Sequence, residues 1–135
     1  MSEGKIPFVH LHVHSHYSLL DGAIPIYDER HKTSPLIDTA KRYGMPAVAL
    51  TDHGNLYGAM EFYEQAMTRG VKPIIGYEGY VAQGSRFEKS ATTPPSRHLT
   101  ILVRNEQGYR NLMKLASAAS IEGFYYKPRL DRELL

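Results

Sequence analysis

The sequence predicts an α/β fold built on a largely parallel sheet. Two observations carry this. Strand-like and helix-like stretches follow one another as βα, βα, ββα, and the segment AVALT is apolar on both faces, as a strand covered from both sides must be. A third observation concerns what the sheet holds. His10, His12, His14 and His16 alternate with Val9, Leu11 and Val13, so one strand is expected to carry an apolar face and an imidazole face.

Taken in order, residues 8–15 form that first strand, and Asp21-Gly22 marks a turn after it. Residues 25–34, PIYDERHKTS, are polar and irregular and are expected to be an extended loop or a broken first turn. Ser34 then stands as N-cap to a helix that begins with Pro35 and ends at Gly44. AVALT, residues 47–51, is the second strand. The helix after DHGN is expected over about residues 56–68, with Met60, Tyr63, Ala66 and Met67 as its buried stripe and Gly70 as its stop. KPIIGYEGYVA is the third strand. The loop QGSRFEKSATTPPS, with its paired prolines, is the segment expected to be most mobile. HLTILV, residues 98–103, is the fourth strand. It leads to a helix over about residues 106–120 with Tyr109, Leu112, Met113, Leu115 and Ala116 at helical spacing. LDRELL reads as an N-cap and a first helical turn, so the chain is expected to be part of a longer one.

Bulk properties narrow the function. The 135 residues suffice for one domain with a real core. A net charge of +2 is too small to argue for nucleic-acid binding by itself. With no cysteine there is neither a disulfide framework nor a thiolate metal site. The first residues hold no long apolar run, so neither a signal peptide nor a membrane span is expected, and the expected location is the cytoplasm. The unusual feature is seven histidines, four of them within residues 10–16.

Side chains two apart on a strand lie roughly 6–7 Å apart on one face. Imidazoles at that spacing can converge on one metal or on adjacent metals. The alternative is a polar strand face, which Lys, Glu or Thr would serve equally well. In TDHGN an apolar strand ends abruptly in Asp52-His53-Gly54, at the carboxyl end of a strand where α/β folds collect their chemistry; a simple turn is the competing reading. Glu78, inside an apolar strand, needs a partner because an unpaired buried carboxylate is costly. A metal or a basic side chain would serve, and a carboxylate, unlike a histidine, can bridge two metals. His98 and Asp21 carry little by themselves, Asp-Gly being a turn signal first. His10 is expected to support ligands rather than be one, with Asp52 in a similar role, and His16 and His31 to lie on the surface.

The blocks HLHVHSHYSLLDG, ALTDHGNLYGAMEFYEQA, KPIIGYEGYVAQGSRF, HLTILVRNEQGYRNLMKLAS and EGFYYKPRLDRELL resemble successive blocks of the PHP (polymerase and histidinol phosphatase) domain of bacterial DNA polymerase III alpha subunits, from about residue 8 to residue 135. The resemblance implies a distorted βα barrel of seven strands with a metal cluster at one end. Residues 1–135 would then be the N-terminal part of a single such domain, truncated after about four strands and without polymerase domains. It implies that His12, His14, Asp21, His53, Glu78 and His98 are metal ligands, and it is what raises Asp21 and His98. The family's later Cys-bearing turn and terminal Asp-x-His pair are absent from this sequence, and PIYDERHKTS is a few residues longer than the family's loop.

The resemblance further implies a divalent metal cluster (Zn, Mn or Fe), phosphoesterase chemistry of the 3′–5′ exonuclease or proofreading kind, and DNA and other replisome subunits as partners of the parent polymerase. Clustered metals can activate a water and stabilise a leaving oxygen, so no side chain beyond the ligands is expected to be catalytic. Two other functions stand beside this one: a structural module supporting the polymerase, and a free-standing phosphatase acting on a small phosphomonoester. The parent's nucleotidyl transfer needs its own acidic residues for Mg2+, which nothing here supplies. An uncovered sheet edge would favour self-association.

Overall fold

The computed structural model describes residues 8–135. The leader-free start expected at residues 1–7 lies outside them. Seven elements follow in order: α1 (Pro35–Arg42), β1 (Ala47–Leu50), α2 (Ala59–Arg69), β2 (Lys72–Val81), β3 (Arg97–Leu102), α3 (Glu106–Ile121) and β4 (Arg129–Leu130). Long β2 is the spine of the sheet. It pairs in parallel with β1 through its first half (Ala47 opposite Lys72 to Leu50 opposite Ile75) and antiparallel with β3 through its second half (Gly76 opposite Leu102 to Val81 opposite Arg97). β4 adds in parallel at Tyr80 and Val81. The sheet is therefore mixed rather than largely parallel. The physical reason is the connection: the loop after β2 brings no helix with it, so the chain can return antiparallel instead of making a crossover.

The first expected strand is extended but forms no regular ladder. Ala49 N donates to His10 O at 2.9 Å and Thr51 N donates to Val13 O at 2.8 Å. Two residues along β1 thus span three along this segment, which is the signature of a bulge. The side chain of Thr51 takes the next position in the ladder, accepting from Val13 N at 2.9 Å. Val13 still packs against the core, but Leu11 stays exposed, so the apolar face is only partly buried.

Two apolar clusters hold the layers. One joins α1, α2 and β1 through Ile37, Ala40, Val48, Leu50, Phe62 and Ala66, together with Ile26 from the preceding loop. The other joins β2, α3 and β4 through Tyr77, Leu112, Ala119 and Leu130. The stripe expected on α2 is displaced. Ala59, Phe62 and Ala66 are buried, whereas Met60, Tyr63 and Met67 are 58%, 45% and 56% exposed. The large side chains suggested the inner face, but the small alanines let the helix lie close to the sheet, with Phe62 alone filling the space. On α3 the inner face is Leu112, Leu115, Ala116 and Ala119, and Met113 is exposed.

The helix caps also differ from expectation. Ser34 precedes α1, but its hydroxyl donates to Ile26 O at 2.7 Å instead of capping, while Ser34 N donates to Asp38 Oδ2 at 2.7 Å. Asn105 caps α3 by accepting from Gly108 N at 2.9 Å. At the end of the chain Asp131 accepts from Leu134 N at 3.2 Å, the hydrogen bond expected of an N-cap. Among the described residues no helix is long and apolar enough to cross a membrane.

Candidate metal centre

Strand alternation decides what β2 offers to each side. Tyr77 enters the core, so Glu78 and Tyr80 point across it. The backbone beyond β1 stays alongside: Glu78 N donates to Asp52 O at 3.1 Å, Gly54 N donates to Glu78 O at 3.0 Å, and His53 bridges Glu78 in parallel. Gly54 takes φ +64, and a Cβ there would stand 2.7 Å from the Pro128 ring, so both conformation and space require glycine. On the other edge His98 lies opposite Tyr80, diagonal to Glu78 and within side-chain reach.

Glu78, only 2% exposed, is the meeting point. Its Oε2 lies 2.6 Å from His12 Nε2, 3.0 Å from His14 Nε2 and 3.5 Å from His53 Nδ1. Its Oε1 is hydrogen-bonded to His98 Nδ1. Asp21 closes the outer side, with Oδ2 at 2.6 Å from His53 Nε2 and 3.7 Å from His14 Nε2. His14 and His53 stack face to face, 4.1 Å between ring centroids. The structure thus gathers His12, His14, Asp21, His53, Glu78 and His98 in one place.

The turn that presents Asp21 is held from beneath. Asp52 accepts from Ser15 N at 2.7 Å, Ser15 Oγ at 2.8 Å and Ser18 Oγ at 2.6 Å, all buried. Ser18 Oγ in turn accepts from His53 N at 3.0 Å. Asp52 therefore positions backbone on both sides of the centre without touching the clustered imidazoles. Gly22 is required here too: a Cβ would stand 1.9 Å from Ser15 O. Ser15 and Ser18 were missed by sequence reasoning. Their signal was there, as one hydroxyl inside the histidine run and one just after it.

His10 is not brought into the cluster. Its ring packs edge-on against Phe8 at 4.7 Å, because the bulge puts it out of phase with His12 and His14. His16 is half-buried rather than on the surface: its ring packs on Tyr17 at 4.2 Å and its backbone N donates to Ile24 O. His31 is exposed and pairs with Asp28.

A second buried polar network, also missed, anchors the first part of the loop after β2 through residues 86 and 88. Arg86 contacts Asp131 at 3.0 Å, Glu122 at 2.7 Å and Glu133 at 2.9 Å. Buried Arg129 donates to the carbonyls of Gly123, Arg86 and Glu88.

The electrostatics prepare the cluster for a cation. Burial pushes the Glu78 carboxyl up, but hydrogen bonds from His12 and His98 and the charge of His53 outweigh it and hold it below its ordinary value. Burial and the neighbouring His53 hold His14 below its ordinary value, which favours the neutral, metal-binding imidazole. The hydrogen bond from His53 lowers Asp21. Burial, with the negative Glu78 and Asp21 nearby, raises Tyr80.

The donor set fits a metal group. Three overlapping triads, His12/His14/Glu78, His14/Asp21/His53 and His53/Glu78/His98, each bring one ligand atom per residue to within 4.8 Å of the others. The buried Nδ1 of His53, 3.5 Å from Glu78 Oε2, has no hydrogen-bond partner within the protein, a costly state that a bound ion would relieve. Mixed imidazole and carboxylate donors suit Zn, Mn or Fe.

The PHP domain family matches residues 10–135. The DNA polymerase III subunit alpha of Treponema pallidum is 54% identical over 133 residues, covering 97% of this chain and 11% of that protein. Those of Borreliella burgdorferi and Thermus aquaticus are 52% and 50% identical, over 93% and 97% of this chain and 10% and 11% of theirs. The chain thus spans about a tenth of the length of these relatives. A solved structure from Bifidobacterium adolescentis gives a TM-score of 0.49 at 19% identity, over 87% of this chain and 36% of that one, too distant a likeness to carry an argument. With a family match across nearly its whole length, and relatives sharing about half its residues, the chain belongs to the PHP domain family.

Proposed function

We propose that this chain contributes a metal-dependent phosphoesterase centre to a bacterial DNA polymerase III alpha subunit, and that the centre acts on the 3′-terminal phosphodiester of DNA as a 3′–5′ exonuclease. The observation that carries the reading is the buried Glu78 carboxylate, shared between two of three overlapping donor triads. His12, His14, Asp21, His53, Glu78 and His98 would hold the metals, which when bound activate water and stabilise the leaving oxygen of an in-line displacement. Glu78 keeps the inner imidazoles aligned, and Asp21 orients His53 through a 2.6 Å contact. Exposed His12, Asp21 and His98 leave one side of the centre open to a substrate. In this reading the mixed sheet is part of a distorted seven-stranded βα barrel, and DNA and replisome subunits meet the chain through the polymerase in the cytoplasm.

The test is release of the terminal nucleotide from a 3′-mismatched primer, with Zn, Mn or Fe supplied and metal content measured in parallel. Hydrolysis that is lost together with bound metal in the His12→Ala/His14→Ala double variant is expected. Unchanged hydrolysis in that variant would refute the assignment.

A further inference from the structure

Beside the centre lies a cleft of about 450 Å3, within the size range of small-ligand sites. His98 lines it and also belongs to the third donor triad, so the cleft borders the cluster at His98. Its other walls include Pro94, Pro95, Tyr125, Tyr126 and Lys127.

Tyr126 is held in an unusual way. It sits at the tip of a tight turn closed by Tyr125 N donating to Lys127 O at 3.1 Å, and its φ is +60. A bulky residue in the left-handed region is strained, and such strain persists only where the surroundings enforce it. The backbone on either side is anchored through Arg129, whose guanidinium is spent on the carbonyls of Gly123, Arg86 and Glu88 and lies 5.3 Å from the Tyr125 ring centroid. Packing does not explain the conformation, because Tyr126 is 84% exposed. The turn therefore leaves a large aromatic side chain exposed at the cleft wall, its ring 4.6 Å from that of Tyr125.

Lys127 adds charge. Its Nζ lies 4.4 Å above the Tyr80 ring, and that ring stacks on His53 and meets His98 edge-on at 5.0 Å. A fixed cation thus stands next to the donor triads. A flat exposed aromatic and a cation beside a phosphoesterase centre match the two parts of a nucleotide. Aromatic faces take any base, and Lys takes phosphate as a point charge. A small phosphomonoester without a base would leave Tyr126 nothing to hold.

We propose that Tyr126 is the stacking platform for the 3′-terminal base of a single-stranded DNA, and that Lys127 holds the adjoining phosphate as the strand enters the metal centre. This rests on the phosphoesterase reading of that centre.

The test is fluorescence anisotropy of a labelled short single strand with the chain in Mn2+, the terminal linkage being phosphorothioate to slow hydrolysis. Two ends are compared, a normal 3′ nucleotide and a 3′ abasic residue. Tyr126→Ala is expected to weaken binding of the base-ended strand about tenfold, as loss of one base–aromatic stack does. Tyr126→Phe restores it, and the abasic strand binds wild type and Tyr126→Ala alike. Lys127→Met weakens both strands and lowers the salt dependence. Tyr126→Gly serves as the folding control, since glycine takes the left-handed conformation freely and should melt no lower than wild type. Equal affinity of wild type and Tyr126→Ala, an equal loss with both ends, or no binding by the wild type would overturn the subsite. Because binding is read without turnover, a chain that binds through Tyr126 but hydrolyses no strand refutes the phosphoesterase reading alone. One that hydrolyses strands with Tyr126→Ala unaffected refutes the subsite alone.

Discussion

Replacing Glu78 by Gln keeps the shape of the side chain and removes its charge. Four imidazoles converge on this one carboxylate, and two of the three donor triads include it, whereas His14/Asp21/His53 does not. Removing even a supporting partner of a metal ligand typically costs ~10–100-fold in affinity, so loss of the shared carboxylate should cost at least about 100-fold at the two triads that contain it. With metal at ~100 times its Kd, binding stabilises the wild type by about 2.7 kcal/mol; after a hundredfold loss only about 0.4 kcal/mol remains. For a domain of this size the difference of about 2.3 kcal/mol corresponds to about 10 °C in melting temperature. The assay is thermal melting with and without Mn or Zn, together with metal stoichiometry by elemental analysis. Wild type should gain about 10 °C more from metal than Glu78→Gln, and the residual binding of the variant should be abolished by adding Asp21→Ala. The same metal-induced gain in both proteins would show that Glu78 is not a ligand and that the convergence of histidines upon it has another cause.

Three further outcomes follow from the same structure. Asp52→Ala leaves Ser15 N, Ser15 Oγ and Ser18 Oγ without their acceptor; urea denaturation should show a loss of about 3 kcal/mol even in chelator, since each buried unpaired group costs ~1–3 kcal/mol and such costs do not simply add. Arg86→Met leaves the buried Asp131 carboxylate without a countercharge, its remaining donors being the backbone N–H groups of residues 86 and 134, while Glu122 and Glu133 are exposed enough to count for little. It should cost about 3–5 kcal/mol in the same measurement, with much of the loss recovered on adding Asp131→Leu. The depressed Glu78 carboxyl sets a pH dependence in the metal-free protein. Its stabilisation is complete above the unfolded carboxylate value of about 4.3 and is lost as pH falls through the lower folded value. Melting temperature should therefore fall more steeply below about pH 4.3 in wild type than in Glu78→Gln, and parallel curves would contradict the assignment.

The sequence by itself determined most of the elements and the kinds of side chain gathered at the centre. An apolar run ending in DHGN, a period-two row of histidines and an acidic residue in an otherwise apolar strand are local patterns. Local patterns place β1, β2, β3 and α3 nearly where they stand, and they single out His12, His14, His53 and Glu78, whereas Asp21 and His98 were raised only by the family resemblance. What only the tertiary structure decided depends on partners far along the chain. The bulge that throws His10 out of phase exists because Ala49 and Thr51 take hydrogen bonds three residues apart, which no spacing within residues 8–15 reveals. The buried face of α2 was set by how closely alanine lets a helix approach the sheet, not by which residues are largest. Arg86 looked like part of a polar loop until Asp131, 45 residues later, folded against it. His12 and Glu78 are 66 residues apart and meet at 2.6 Å. Residue type told which groups could share a cation; only the register of β1, β2 and β3 put their nitrogens and oxygens on one side of the sheet, because side-chain direction there alternates with every residue.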